Sequence, residues 1–247
     1  METKFEPVMP GRRAPVAPLP VASTGAGDAA LPIAQNAVLR NTYWLLALSM
    51  LPTIAGAFVG MQFNFAAVFK SAPIMAPLLM FGAMLGSLFV VTLLRNSAWG
   101  VVALLGFTFI AGVFLTPILT VAAGFRNGGQ LVALAGGMTA AIFFAMATIA
   151  TVTKKDFSFM GKFLMVGLVL LIVASLANLF FQIPALSLTI SAVAVLIFSA
   201  YILYDVSNIV RGGETNYVMA TLGLFLNLYN LFISLLNILL AFTGQRD

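Results

Sequence analysis

Seven apolar runs, each long enough to cross the hydrocarbon core of a bilayer, occupy the chain from Asn41 onward, and only short polar breaks separate them. A core of about 30 Å needs about 20 consecutive apolar residues in a helix. The approximate limits of the runs are 43–65, 72–94, 98–121, 129–152, 162–182, 187–210 and 217–243. In lipid every backbone N–H and C=O must be satisfied inside the protein, so runs of this length form helices. The expected fold is an all-α membrane protein, a seven-transmembrane-helix bundle over residues 41–247. Composition agrees, because only 8% of residues are charged and a water-facing surface requires about 25%.

Residues 1–40 are a different material. Six of the eleven prolines lie there, at Pro7, Pro10, Pro15, Pro18, Pro20 and Pro32. Such a segment buries too little apolar surface to offset its chain entropy, and a disordered, proline-rich tail is expected. The apolar run that follows it is too long for the hydrophobic region of a signal peptide.

The basic residues set the orientation. With the N-terminus in the cytoplasm, the inside segments hold Lys4, Arg12, Arg13, Arg40, Arg95, Lys154, Lys155, Lys162 and Arg211. The outside segments hold only Lys70, Arg126 and Arg246. This positive-inside bias predicts a cytoplasmic N-terminus and a C-terminus on the opposite side, periplasmic in a bacterial inner membrane. The net charge of +5 is scattered along the chain, so it reads as a topology signal and not as a nucleic-acid surface. Trp44 and Trp99 lie near span ends, where indoles favour the interface.

The chain has no Cys and no His. That excludes disulfides, thiolate nucleophiles, haem ligation through histidine and imidazole proton relays. No cofactor and no metal site is expected, and any pH response must come from a carboxylate. Two GxxxG motifs, at Gly56 and Gly60 and at Gly82 and Gly86, suggest close helix approach. Pro117 should kink the third span.

The polar chemistry lies in the last two spans. Asp205 is the only acidic residue inside any of the apolar runs. A carboxylate there costs about 2.5–3.5 kcal/mol on insertion scales, so such residues usually face the protein interior and carry function. The structural alternative is a helix-end acid satisfied by nearby hydroxyls and amides. Tyr201 and Asn208 share its helical face, and Arg211 follows in the adjoining loop. In the seventh span, Ala220, Gly223, Asn227, Asn230, Ser234, Asn237 and Ala241 recur every three or four residues and form one small, polar stripe. Amides on such a stripe are poorly tolerated against lipid, so the last helix should be buried. For Asn230, Ser234 and Asn237 the expected role is interhelical hydrogen-bond glue. Counting back from the short loop puts Asp205 and Asn227 within about two turns of the same depth, where an acid–amide hydrogen bond can form.

The stretch AYILYDVSNIVRGGETNYVMATLGLFLNLYNLFISLLNILLAF resembles the C-terminal signature of the Bax inhibitor family, in its bacterial YccA-like branch, with GGETNY as the most distinctive piece. The resemblance extends more weakly to NSAWGVVALLGFTFIAGVFLTPIL at 96–119. It implies seven helices with the last one surrounded by the other six. Members described as pH-sensitive calcium leaks use two facing aspartates on the last two helices. Asp205 matches the first, but position 227 is Asn here, so a proton shared between two carboxylates is not available. The resemblance also implies a basic latch, for which Arg95 is the candidate. The YccA-like branch is associated with FtsH, a membrane-anchored AAA protease, so that protease is the implied partner alongside the lipid bilayer.

Two readings follow. The first is a non-enzymatic inner-membrane protein that modulates membrane-protein quality control through FtsH, with the tail as a loose end for the protease to grip or as an inert extension. The alternative is a cation leak, with calcium as the ion, gated around Asp205 and Asn227. An intramembrane enzyme has no nucleophile–base pair to support it.

Overall fold

Every one of the seven apolar runs forms a helix. The computed structural model describes residues 25–63, 71–153 and 155–244. Its helices are α1 (Gly25–Gln62), α2 (Met75–Leu94), α3 (Trp99–Phe114), α4 (Thr116–Ala123), α5 (Gly128–Thr153), α6 (Met160–Phe181), α7 (Pro184–Val210) and α8 (Tyr217–Gly244). Among the described residues seven segments are long and apolar enough to cross a membrane, with α3 and α4 together making the third. The spans start and stop within a few residues of the expected limits, except at the N-terminus.

There the helix runs back to Gly25, so the tail boundary expected at residue 40 falls inside α1. Ala26, Ala29, Ala30, Ala34 and Ala37 supply strong helix propensity in this stretch. A helix already nucleated in the apolar span extends through them, and their propensity offsets part of the cost of Pro32 in its interior. The rest of the expected tail, residues 1–24, lies outside the described residues, as do Lys70, Lys154 and Arg246.

The third span breaks at Leu115, two residues before Pro117. Proline lacks the N–H that would bond the carbonyl of residue 113. The Thr116 hydroxyl takes its place and donates to the Val113 carbonyl at 2.6 Å. The expected kink is therefore a full interruption whose orphaned acceptor is satisfied locally.

The two GxxxG motifs have different fates. A Cβ on Gly56 would collide with the Phe109 carbonyl, and one on Gly112 with the Thr53 carbonyl, so α1 and α3 cross backbone to backbone. A Cβ on Gly82 or Gly86 would meet nothing within 4 Å. The second motif is not a contact, because α2 sits at the edge of the bundle and packs on α3 alone among its main neighbours.

The last helix is the core. In its most apolar 18-residue stretch 56% of residues are buried, against 39% in the third span and 6% in α2. Its principal neighbours are α1, α3, α4, α5 and α7, whereas α2 and α6 dock on the outside of α3 and α7. The encirclement by six helices implied by the resemblance is thus narrower, with four spans forming the wall. Through the centre Phe107 meets Phe225 edge to face and Phe225 stacks on Tyr229, each pair with ring centroids 5.9 Å apart. The Tyr229 hydroxyl donates to the Ala111 carbonyl at 3.0 Å.

Most hydroxyls inside the spans are satisfied within their own helix. Thr53, Thr92, Thr139, Thr189 and Ser199 each donate to the carbonyl four residues earlier. Trp44 and Trp99 are exposed on the outer surface, as expected of interfacial indoles.

Candidate functional site

The turn between α7 and α8 is built to hold two helices in register. Helix α7 ends in a Schellman motif, with Gly212 in the left-handed region at φ 77. The Gly213 N–H bonds the Asn208 carbonyl at 2.9 Å and the Gly212 N–H bonds the Ile209 carbonyl at 3.0 Å. Four residues further on, Asn216 caps α8, and its Oδ1 accepts from the N–H groups of Val218 and Met219 at 3.0 and 3.1 Å. The Glu214 side chain accepts from the Asn216 N–H at 2.8 Å. The GGETNY stretch is therefore one helix stop followed by one helix start.

With both ends fixed, the hairpin brings Asp205 to Asn227. The Asn227 amide donates to Asp205 Oδ2 at 2.7 Å. Gly223, one turn before Asn227, makes room for the acid, since a Cβ there would stand 3.2 Å from the same oxygen. Asn227 is buried and Asp205 partly so. The pair sits within the apolar length of the sixth and seventh spans, on the expected helical faces.

The supporting residues divide. Tyr201 lies one turn from Asp205 and its ring packs beside Phe198, with centroids 6.5 Å apart. The Asn208 side chain lies against Gly213 and belongs to the turn. Arg211 points away from the buried acid and pairs with Asp156 in the loop between α5 and α6. The Ser158 hydroxyl and backbone N–H, together with Arg211, hold the Asp156 carboxyl down at about 2. Arg211 is thus a loop tie and not a partner of Asp205. Helix periodicity explains this, because Arg211 is six positions beyond Asp205 and so lies about 120° around the helix from it. Ser207 reinforces the tie by donating to the Lys155 carbonyl at 3.0 Å.

Arg95 also enters through its backbone. The Asn216 amide donates to the Arg95 carbonyl at 3.0 Å and to Asn96 Oδ1 at 2.9 Å. Among the described residues no hydrogen bond or ion pair links Arg95 to Asp205. The loops at 95–98, 155–159 and 211–216 are therefore bonded together at one end of the bundle. Asn216, Ser207 and Asp156 were not singled out from sequence, although the Asn one residue before the apolar run is a recognisable cap signal.

The polar stripe of α8 differs from the expected interhelical glue. Asn230 donates to the Leu226 carbonyl at 2.8 Å and Ser234 to the Asn230 carbonyl at 2.7 Å, both within α8. Asn237 opens onto a polar cavity of about 460 Å³ at the far end of the hairpin, where Ser175, Asn178, Gln182, Ser187 and Ser191 also line the wall.

These features define a polytopic helical membrane protein whose central hairpin carries one buried acid–amide pair. The chain belongs to the Bax inhibitor family: residues 35–244 match the family model described as "Inhibitor of apoptosis-promoting Bax1". It is 44% identical over 216 residues to a protein of Neisseria meningitidis, covering 86% of this chain and 94% of the relative. It is 39% identical over 213 residues to the Escherichia coli protein named Modulator of FtsH protease YccA, covering 84% of this chain and 91% of that protein. A Vibrio cholerae protein named as a membrane protein is 40% identical over 204 residues, with coverage of 83% and 89%.

Proposed function

We propose that this chain is a non-enzymatic inner-membrane protein that modulates membrane-protein quality control by engaging the FtsH AAA protease. The likeness to the Escherichia coli modulator carries the reading, because it runs at 39% identity through 91% of that protein. A relative with the same extent of match in a second Escherichia coli strain is named an inner membrane protein. The bonded loops that carry Arg95, Lys155 and Arg211 form the cytoplasmic end under the positive-inside rule, with the C-terminus periplasmic. An ATP-driven unfoldase takes hold of a loose segment, and in this reading the proline-rich stretch ahead of α1 serves as one on the same side.

The test is co-purification of the full chain with FtsH, together with the half-life of the chain in cells with and without the protease. Association is expected, along with a longer half-life when residues 2–24 are deleted. Absence of both association and any FtsH-dependent turnover would defeat the proposal.

A second reading rests on the Asp205–Asn227 bond inside the spans. A carboxylate in this setting is a candidate gate for a cation leak, with calcium as the ion. Calcium flux into liposomes holding the purified chain tests it, and flux unchanged in Asp205→Asn would remove Asp205 from the path.

A further inference from the structure

A long apolar cleft lies away from the acid–amide pair. Helices α1 and α5 meet edge to face through the Tyr43 and Phe143 rings, 5.9 Å apart, and the cleft between them, with α8 as its floor and α4 beside it, has a volume of about 1150 Å³. It is lined on α1 from Tyr43 to Met61 and on α5 from Gly128 to Thr151, so it runs the length of both spans. Its walls are almost wholly apolar. The α5 wall is low, because Gly136 faces open space, with nothing within 4 Å of where its Cβ would stand.

Depth and volume say what fits. Over the 43–61 stretch of α1 the cleft is about 27 Å deep, at about 1.5 Å per residue. That matches a bilayer core of about 30 Å. Slender hydrocarbon chains fit it without displacing either wall.

Both ends of the cleft carry a basic residue: Arg126 stands two residues before Gly128, and Arg40 continues the lining face of α1. Arg40 precedes Tyr43 by three residues, Tyr43 precedes Met50 by seven, and this spacing places all three on one face of α1. Arg40 therefore extends the cleft stripe by one turn beyond its apolar end. It is exposed and forms no ion pair among the described residues. A basic residue at the mouth of an apolar interhelical groove matches the charge of a phosphate headgroup.

We infer that the α1–α5 cleft binds an anionic phospholipid, with an acyl chain along Gly136 and Tyr229 and the headgroup phosphate at Arg40. The lipid completes the bundle wall between the first and fourth spans and covers α8 where protein does not.

Native mass spectrometry of the full chain in mild detergent, titrated with phosphatidylglycerol or phosphatidylcholine, tests the assignment. One retained phosphatidylglycerol is expected, bound about five-fold more tightly than phosphatidylcholine for a single basic contact. Arg40→Gln should equalise the two lipids, whereas Arg126→Gln at the opposite end should leave the preference intact. Gly136→Leu should fill the cleft and abolish retention of both, with an unchanged thermal midpoint as the check on folding. Phosphatidylglycerol retained by Gly136→Leu at parental affinity would overturn the site, as would a preference that survives Arg40→Gln. A dimer that Gly136→Leu dissociates would assign the cleft to a second copy of the chain instead.

Discussion

Asn227 donates its amide to Asp205 Oδ2 at 2.7 Å, a single bond that joins the sixth and seventh spans inside the apolar thickness of the bundle. An amide serves either protonation state of its partner, donating to the carboxylate or, if rotated, accepting from the acid. The pair therefore holds the hairpin together whichever form is present, while a pair of acids would hold it only when a proton is shared.

Replacing the acid separates geometry from charge. Asp205→Asn should keep the cross-hairpin hydrogen bond and leave thermal stability in detergent close to the parent. Asp205→Leu should strand the buried Asn227 amide and cost about 1–3 kcal/mol. Equal stability of the Leu variant and the parent would show that the bond contributes nothing.

Restoring the second acid should create a pH response. In Asn227→Asp two carboxylates face each other at hydrogen-bonding distance and titrate as a coupled pair. Once both ionise, their repulsion weakens the hairpin, so the variant should lose thermal stability as pH rises, more steeply than the parent. Parallel stability curves for variant and parent across that range would refute the coupling.

The glycines predict opposite outcomes for one substitution. Gly56→Ala sets a Cβ against the Phe109 carbonyl, and an overpacked contact of this kind costs about 1–3 kcal/mol. Gly82→Ala meets open space and should gain about 0.5–1 kcal/mol from helix propensity. Thermal unfolding of the two variants decides the point, and a destabilised Gly82→Ala would mean that the outer face of α2 is in contact.

The loop tie should fail in acid. The Ser158 hydrogen bonds and the Arg211 guanidinium hold the Asp156 carboxyl at about 2, below the ordinary carboxylate range. Its contribution is therefore complete above about pH 4 and is lost as pH falls through about 2. Asp156→Asn should differ slightly from the parent near neutral pH and match it near pH 2, as read by thermal midpoints. A gap that persists at the acid end would place the effect elsewhere.

Much of this architecture was legible in the sequence because a bilayer sets helix length. The limits of α2 to α8 follow from apolar runs alone, and the Asp205–Asn227 bond follows from counting back along two helices from one short loop. Periodicity identifies a face but not a partner, and this is why the stripe misled at Asn230 and Ser234. For those side chains the carbonyl one turn back is always within reach, and the structure uses it. The spelling GxxxG is identical at Gly56 and Gly82, yet only the bundle's interior turns it into a contact. Arg211 is near Asp205 in sequence, but six helical positions put it on another face, where it pairs with a residue in another loop. The start of α1 was obscured by prolines in a segment whose alanines continue the helix.

The self-contained hydroxyls have a consequence for how the protein is made. A span whose polar side chains bond to its own backbone can enter the bilayer singly, with no need for a neighbour to be present. Nearly every Ser and Thr bond described within the spans is of this kind, and the interhelical exceptions cluster on α8: Thr221 to Thr42, Asn227 to Asp205 and Tyr229 to Ala111. The first five spans can therefore wait in lipid as separate rods. The sixth brings Asp205, and the seventh brings the groups that pair with the first, third and sixth. Its arrival closes the bundle, so assembly waits for the seventh span.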